Sequence, residues 1–127
     1  MKIYVDEEFA EQCKNIISEY SEIYLSRIGV TETLINLRKR LSTQEFALAA
    51  KFFEIDIASF NIIDFNEQIS YSAVAISQGT NLATLDAIHL ASALKIRDAG
   101  IDFLTYDTVQ RKAAKSVGFI TPGLKSR

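Results

Sequence analysis

Short apolar runs recur along the chain and predict the strands of a sheet. Each run is rich in β-branched or aromatic residues and is bounded by polar or helix-favouring segments. The predicted strands are residues 1–5, 23–25, 60–65 and 103–106, with residues 119–120 as a last short strand.

Between these runs, apolar residues recur every three or four positions, which predicts helices with one buried face. The predicted helices are residues 9–20, a helix that runs through Leu34, Leu37 and Leu41, a helix that starts at Ser42-Thr43 and includes residues 46–53, and residues 68–78, 85–99 and 109–117. Ser26 or Thr31 is suited to cap the second of these helices. Gly79, Gly100 and Gly118 follow the last three helices and are suited to end them.

Strands and helices alternate, which is typical of an α/β fold with a mainly parallel central sheet and helices on both faces. At 127 residues, the chain is expected to form one domain over residues 1–127. Ligands of such sheets bind beyond the carboxyl ends of the strands. Asp107 follows the predicted strand at residues 103–106, so we expect it at that edge.

Composition narrows the functional classes only slightly. The net charge of −2 gives no overall basic field for nucleic acid, although a local basic rim would still allow an enzyme to meet RNA. Cys13 is the only cysteine, so an internal disulfide is excluded and a reducing cytoplasm is the expected location. The sequence shows no signal peptide and no apolar run long enough to span a bilayer.

Two carboxylates stand where an α/β fold gathers ligands. Asp86 lies near the start of the most apolar predicted helix, and Asp107 follows a buried strand. Gathered carboxylates repel one another unless a cation is present, and Mg²⁺ and Mn²⁺ prefer oxygen ligands. The pattern therefore indicates metal-dependent chemistry on a substrate that carries phosphate.

Three segments together resemble the PIN-domain ribonucleases, and most closely the VapC-type toxins of toxin–antitoxin pairs. They are Val30-Thr-Glu-Thr-Leu34, Thr84-Leu-Asp-Ala-Ile-His-Leu-Ala91 and Phe103-Leu-Thr-Tyr-Asp107. The resemblance implies a three-layer PIN-like fold and a metal-dependent endoribonuclease that acts with an antitoxin partner. It also implies that Glu32, Asp86 and Asp107 bind Mg²⁺ or Mn²⁺ and activate water against an RNA phosphodiester.

The beginning of the chain departs from this family. The family opens with a strand that ends in a catalytic Asp, whereas Lys2-Ile-Tyr-Val-Asp-Glu-Glu8 resembles the segment that normally follows that opening. The spacing from Asp6 to Glu32 is also shorter than in the family. We therefore expect a chain without the first strand and its acid. The alternative places residues 1–5 in the first-strand position, with Asp6 at its end.

This departure leaves a second function open, namely a catalytically inactive PIN-like module that binds protein or RNA. It also bears on assembly, because an unpaired central strand position is a template for another chain. We expect Ile3 and Val5 to be buried and the protein to form a homodimer.

Several other residues have simpler interpretations. His89 lies one turn after Asp86 and is interpreted as a packed, hydrogen-bonded residue rather than a catalytic base. Thr105 is expected to support the metal site, and Asp102 to be structural. The basic run at residues 38–40 is interpreted as a solvated face, with an RNA-facing rim as the alternative.

Overall fold

The computed structural model describes residues 2–6, 11–96, 100–105 and 107–122. The strands are β1 (Lys2–Val5), β2 (Glu22–Ser26), β3 (Asn61–Ile63) and β4 (Ile101–Leu104). The helices are α1 (Glu11–Ile17), α2 (Arg27–Arg40), α3 (Thr43–Ile57), α4 (Glu67–Gly79), α5 (Thr84–Lys95) and α6 (Thr108–Ser116). None of the helices within these residues is long and apolar enough to cross a membrane. Phe9, Ala99 and Tyr106, which the sequence assigned to helices and a strand, lie outside the described residues.

The four strands form one parallel sheet in the order β3-β2-β1-β4, so β1 occupies an inner position. Its register pairs Tyr4 with Tyr24 of β2 and with Phe103 of β4. The expectation that the first-strand position is empty is therefore wrong, and the alternative placement is confirmed. The resemblance of residues 2–8 to the segment that follows the family's opening strand was therefore misleading. Ile3, Tyr4 and Val5 have the β-favouring apolar pattern that a strand buried on both faces requires.

Side chains of β1 alternate between two apolar layers. Tyr4 packs on one face with α4, α5 and α6, stacked 5.3 Å from the Phe103 ring. Ile3 and Val5 point to the opposite face, where they meet Ile17 of α1. Both are fully buried, as expected. Helices thus cover both faces of the sheet, and the predicted three-layer α/β architecture is confirmed.

A third apolar cluster lies at β2, where Leu25 packs with Val30 of α2 and Phe53 of α3. Ser26 caps α2, since its hydroxyl accepts from the Ile28 amide at 3.1 Å. This helix begins at the carboxyl end of β2 without any loop, which fixes where its second turn lies relative to the sheet.

The apolar helix α5 runs through the interior, with every residue from 87 to 93 buried. It ends at Lys95 rather than at residue 99, and β4 begins at Ile101 rather than at residue 103. Gly100 stands directly before β4 with φ of 70°, a conformation that other residues rarely adopt. Ile96, which apolarity assigned to the helix interior, is instead the residue that caps the end of α5.

One further expectation, about a last strand, needs correction, whereas two predicted helix ends agree with the structure. Residues 119–120 do not form a strand, although the Phe103 amide donates to the Ile120 carbonyl at 2.9 Å. Gly79 is the last residue of α4 and lacks positive φ, whereas Gly118 has φ of 97° and ends α6 as predicted.

Candidate metal centre

Three side chains from separate elements meet at the carboxyl end of the sheet. Asp6 follows β1 directly, Glu32 lies in the second turn of α2, and His89 lies in the middle of α5. One ligand atom from each lies within 4.8 Å of the others. His89 Nε2 is 2.5 Å from Glu32 Oε1 and 3.3 Å from Asp6 Oδ1.

The ring of His89 is held on its other side by Tyr4. The Tyr4 hydroxyl contacts Nδ1 at 2.8 Å, and this hydroxyl also interacts with the side chains of Ser26 and Ser92. His89 and Tyr4 are both almost completely buried. Because Nδ1 has a partner, Nε2 is the nitrogen that faces the carboxylates.

Gly29 allows α2 to pass close to this ring. A Cβ atom built on Gly29 would lie 2.9 Å from Leu25 Cδ1 and 3.3 Å from His89 Cε1. A side chain at Gly29 would therefore collide with the side chain of Leu25 and with the ring of His89. The absence of a side chain lets Glu32, one turn later, reach Nε2.

Burial and charge shift the pKa values of this cluster. Burial raises the pKa of Asp6 to about 7, although His89 and a hydrogen bond from Gln110 oppose the shift. Burial alone would lower the pKa of His89, but the carboxylates of Asp6 and Glu32 outweigh it and raise that pKa. The side-chain exposure falls from 36% for Glu32 to 16% for Asp6 and 1% for His89. The open side of the cluster is thus the Glu32 side.

Asp86 and Asp107 extend the negative charge along the same edge. Asp86 lies in the first turn of α5, and burial together with the charge of Asp107 raises its pKa. Glu32 contributes to the same shift. Asp107 is exposed and caps α6, its Oδ1 accepting from the amides of Val109 and Gln110 at 2.8 and 3.1 Å.

Gln110 connects these parts and was not singled out from the sequence. Its Nε2 donates to the Asp86 carbonyl at 3.3 Å, and its Oε1 accepts from the Thr105 hydroxyl at 2.7 Å. The Thr105 hydroxyl also accepts from the Asp107 amide at 3.1 Å. A signal did exist: Gln110 occupies the buried face of α6 with Ala113 and Ala114, where an apolar residue is usual.

The sequence matches the PIN domain family over residues 1–116. The chain belongs to this family. No curated protein sequence matches it.

Solved structures share the fold of this PIN domain at low sequence identity. FitAcB from Neisseria gonorrhoeae is 18% identical, with a TM-score of 0.71 and 97% of each chain covered. PAE2754 from Pyrobaculum aerophilum is also 18% identical, with a TM-score of 0.72 over 95% of this chain and 89% of that one. A toxin–antitoxin complex from Klebsiella pneumoniae contains a chain that is 21% identical, with a TM-score of 0.66 over 84% of this chain and 87% of that one.

The sequence-based site residues of this PIN domain have different surroundings. Glu32 contacts His89 directly, Asp86 lies half-buried beside them, and Asp107 is engaged as a helix cap. His89 is packed and hydrogen-bonded, as interpreted, but its partners are the candidate ligands themselves. Asp6 is the acid whose place the sequence left open.

Two other interpretations can also be placed. Asp102 accepts from the Tyr20 hydroxyl at 2.7 Å within β4, so it is structural as expected. The basic residues at 38–40 are exposed at the end of α2, where positive charge is favourable to the helix dipole. Arg38 lies over the Phe46 ring at 5.7 Å, which accounts for one of them without RNA.

The donor set of this PIN domain fits a divalent cation. Ligand atoms about 2.1 Å from a shared octahedral ion lie roughly 3 Å apart, close to the distances from His89 Nε2 to its two carboxylate neighbours. Two carboxylates and one imidazole facing each other also need a positive charge between them. Either a proton or a metal ion can supply it.

Proposed function

We propose that this PIN domain is a metal-dependent endoribonuclease of a toxin–antitoxin system. The observation that carries the proposal is the convergence of Asp6, Glu32 and His89 at the carboxyl end of a parallel sheet in a chain of this family. Oxygen-rich sites of this kind suit Mg²⁺ or Mn²⁺, which are the proposed cofactors.

The proposed catalytic and metal-binding residues are Glu32, Asp86 and Asp107, with Asp6 completing the set. A bound divalent cation would neutralise the scissile phosphate and lower the pKa of a water molecule beside it. Glu32 and Asp6 would hold that cation on the buried side. Asp86, whose raised pKa suits a group that accepts and returns a proton, would orient the water.

Asp107 would act at the outer rim of the site. Its Oδ1 accepts hydrogen bonds from two amides of α6, and the Asp107 amide donates to the Thr105 hydroxyl. The carboxylate is therefore fixed in position while remaining exposed to an incoming phosphodiester chain.

Replacement of Asp86 by Asn tests the proposal. The amide keeps the size of the side chain but removes the charge, so we expect cleavage of RNA in Mg²⁺ or Mn²⁺ to fall at least about 100-fold with the fold intact. Asp56→Asn is the matched control, because Asp56 pairs with Lys14 on the surface at α1 and α3. Cleavage retained by Asp86→Asn in a nuclease-free preparation would contradict the assignment.

The alternative of a catalytically inactive binding module depended on a missing first acid. Asp6 lies 3.3 Å from His89 at the place where that acid was expected, which favours the enzyme. Binding of Mn²⁺ without metal-dependent cleavage of any RNA would favour the inactive module instead.

The proposed partners are an RNA substrate, an antitoxin protein and a second copy of the chain. One structural neighbour is itself a toxin–antitoxin complex. This chain carries two exposed apolar surfaces that partners can cover. Leu48, Phe52 and Ile55 are exposed on α3, here called the α3 face. Phe65 just before α4, Tyr71 and Val74 on α4, and Leu85 at the start of α5 are also exposed, and this group is called the α4–α5 face. Since RNA substrates and an antitoxin partner are both found in the cell interior, the proposed location is the cytoplasm.

A further inference from the structure

The imidazole in the cluster is the feature that separates this site from a purely carboxylate one. His89 Nε2 points between Asp6 Oδ1 and Glu32 Oε1, at 3.3 and 2.5 Å. The ring is 1% exposed, so its orientation is set by the protein and not by solvent. Three donors of one nitrogen and two oxygens therefore surround a common point.

Tyr4 gives the ring the arrangement found around histidines that bind metals. Such histidines use one ring nitrogen for the ion and donate the other N–H to an oxygen, which fixes the tautomer. Here the Tyr4 hydroxyl is 2.8 Å from Nδ1 and can accept that N–H while it donates to Ser26 or Ser92. The tautomer with a proton on Nδ1 leaves the lone pair of Nε2 directed at the two carboxylates.

We propose that His89 is a metal ligand, and that Asp6, Glu32 and His89 together make a nitrogen-containing centre that prefers Mn²⁺ and other first-row transition ions over Mg²⁺. Imidazole is a poor ligand for Mg²⁺, which keeps oxygen ligands and water, whereas transition ions accept nitrogen readily. This inference rests on the metal site of the proposed function and specifies its chemistry.

The composition of the chain makes the test unusually direct. His89 is the only histidine, so any imidazole nitrogen coupled to a bound Mn²⁺ ion must belong to it once purification tags are removed. Pulsed electron paramagnetic resonance of the Mn²⁺ complex measures this coupling. We expect a nitrogen modulation that changes when histidine is labelled with ¹⁵N. A Mn²⁺ complex without this modulation would overturn the proposal.

Calorimetric titration with Mn²⁺ and with Mg²⁺ gives the second measurement. We expect the wild-type protein to bind Mn²⁺ at least about 30-fold more tightly than Mg²⁺. His89→Asn keeps a polar group near Tyr4 but removes Nε2, so Mn²⁺ affinity should fall about 10- to 100-fold while Mg²⁺ affinity changes little. Equal losses for both ions would indicate a structural role and contradict the proposal.

Tyr4→Phe separates the ligand from its support. The nitrogen modulation should persist while Mn²⁺ affinity falls by up to about 10-fold, because the ring loses its partner at Nδ1 but keeps Nε2. If His89→Asn fails to fold, the wild-type resonance spectrum and Tyr4→Phe still decide the matter. Nitrogen coupling without RNA cleavage would support the inference and contradict the proposed function; cleavage without nitrogen coupling would do the reverse.

Discussion

Gly29 shows how a single missing side chain can shape the centre. A Cβ at this position would approach Leu25 Cδ1 to 2.9 Å and His89 Cε1 to 3.3 Å. Both contacts are tighter than packed carbon atoms normally tolerate, so α2 or the ring would have to move by a few tenths of an ångström. Glu32 belongs to the same helix, and its distance to Nε2 would change with it.

Gly29→Ala should therefore weaken Mn²⁺ binding, by about 10-fold, through displacement of a supporting contact. Gly79→Ala is the matched control, because a Cβ on Gly79 meets nothing within 4 Å. Glycine in a helix costs about 0.5–1 kcal/mol relative to alanine, so the control should stabilise the protein without changing affinity. Calorimetric titration and thermal denaturation measure the two effects, and unchanged affinity in Gly29→Ala would contradict the packing argument.

The pKa of Asp6 predicts how metal binding depends on pH. Its folded pKa of about 7 exceeds its unfolded value, so the metal-free protein loses stability as pH rises towards 7. The raised pKa of His89 acts in the same direction, since that contribution is present at low pH and lost as pH rises through the folded value. A metal ion replaces both protons, so its binding strengthens as pH rises.

We expect the shift of the melting temperature by Mn²⁺ to be at least about 5 °C larger at pH 8 than at pH 5.5. Differential scanning calorimetry at both pH values measures it. Asp6→Asn should reduce this dependence without abolishing it, because the amide has no proton to lose whereas His89 keeps its own. A shift that is independent of pH in the wild-type protein would contradict the prediction.

At the scale of elements, β1 carries more of the fold than its four residues suggest. It pairs with β2 and β4 along their length, and its side chains enter both apolar layers. Removal of the strand would leave two neighbours with unpaired backbone groups, each costing roughly 1–3 kcal/mol.

Deletion of residues 1–5 should accordingly abolish soluble, cooperatively folded protein. The milder change Ile3→Ala removes a fully buried side chain and should cost about 2–5 kcal/mol of unfolding free energy. Ile35→Ala, at a side chain that is 49% exposed, is its control and should cost far less. Chemical denaturation measures both, and a soluble deletion variant with unchanged melting temperature would show that β1 does not complete the sheet.

The same element marks how far the sequence could predict the structure. Periodicity located the helices and the succession of strands and helices along the chain, because burial of one face leaves a repeating apolar pattern. Periodicity could not decide whether residues 1–5 enter the sheet. β1 pairs with a segment about 100 residues away, and the local sequence pattern contains no information about that partner. Gly100 likewise has positive φ before β4, a feature of the backbone that apolarity does not reveal.

The residues of the site can also be divided into those that the sequence indicated and those that it did not. Asp86 was found because an acid is unusual in an apolar helical segment, whereas Glu32 was found only through the resemblance to the PIN-domain ribonucleases. His89 was noted but interpreted as packing, because its contacts with Asp6 and Glu32 come from three different elements. Gln110 was missed because its partners, Thr105 and the Asp86 carbonyl, meet it only after the sheet has formed.

For the whole molecule, the two exposed apolar surfaces predict self-association. Leu48, Phe52 and Ile55 follow helical spacing on the α3 face. The α4–α5 face borders a cavity of about 190 Å³ lined in part by Phe65 and Val74. Monomeric proteins rarely leave two such patches uncovered.

We expect sedimentation at about 10 μM to give the mass of a dimer. Phe52→Glu and Tyr71→Glu place the same charge on different faces, at side chains of similar exposure. One of them should return the mass to that of a monomer, and the other should leave the dimer intact and mark the surface available to an antitoxin. A monomeric wild-type protein, or dimers in both variants, would contradict this arrangement.

The inner position of β1 also governs how the protein is made. On the ribosome, Lys2 emerges 99 residues before Ile101, its partner in β4. At 5–20 residues per second, β1 waits about 5–20 s with one hydrogen-bonding edge open. Ile3, Tyr4 and Val5 are therefore exposed to chaperones and to neighbouring nascent chains for most of synthesis. Asp6 can meet His89 only after α5 has also emerged, so the candidate metal centre is completed late in synthesis.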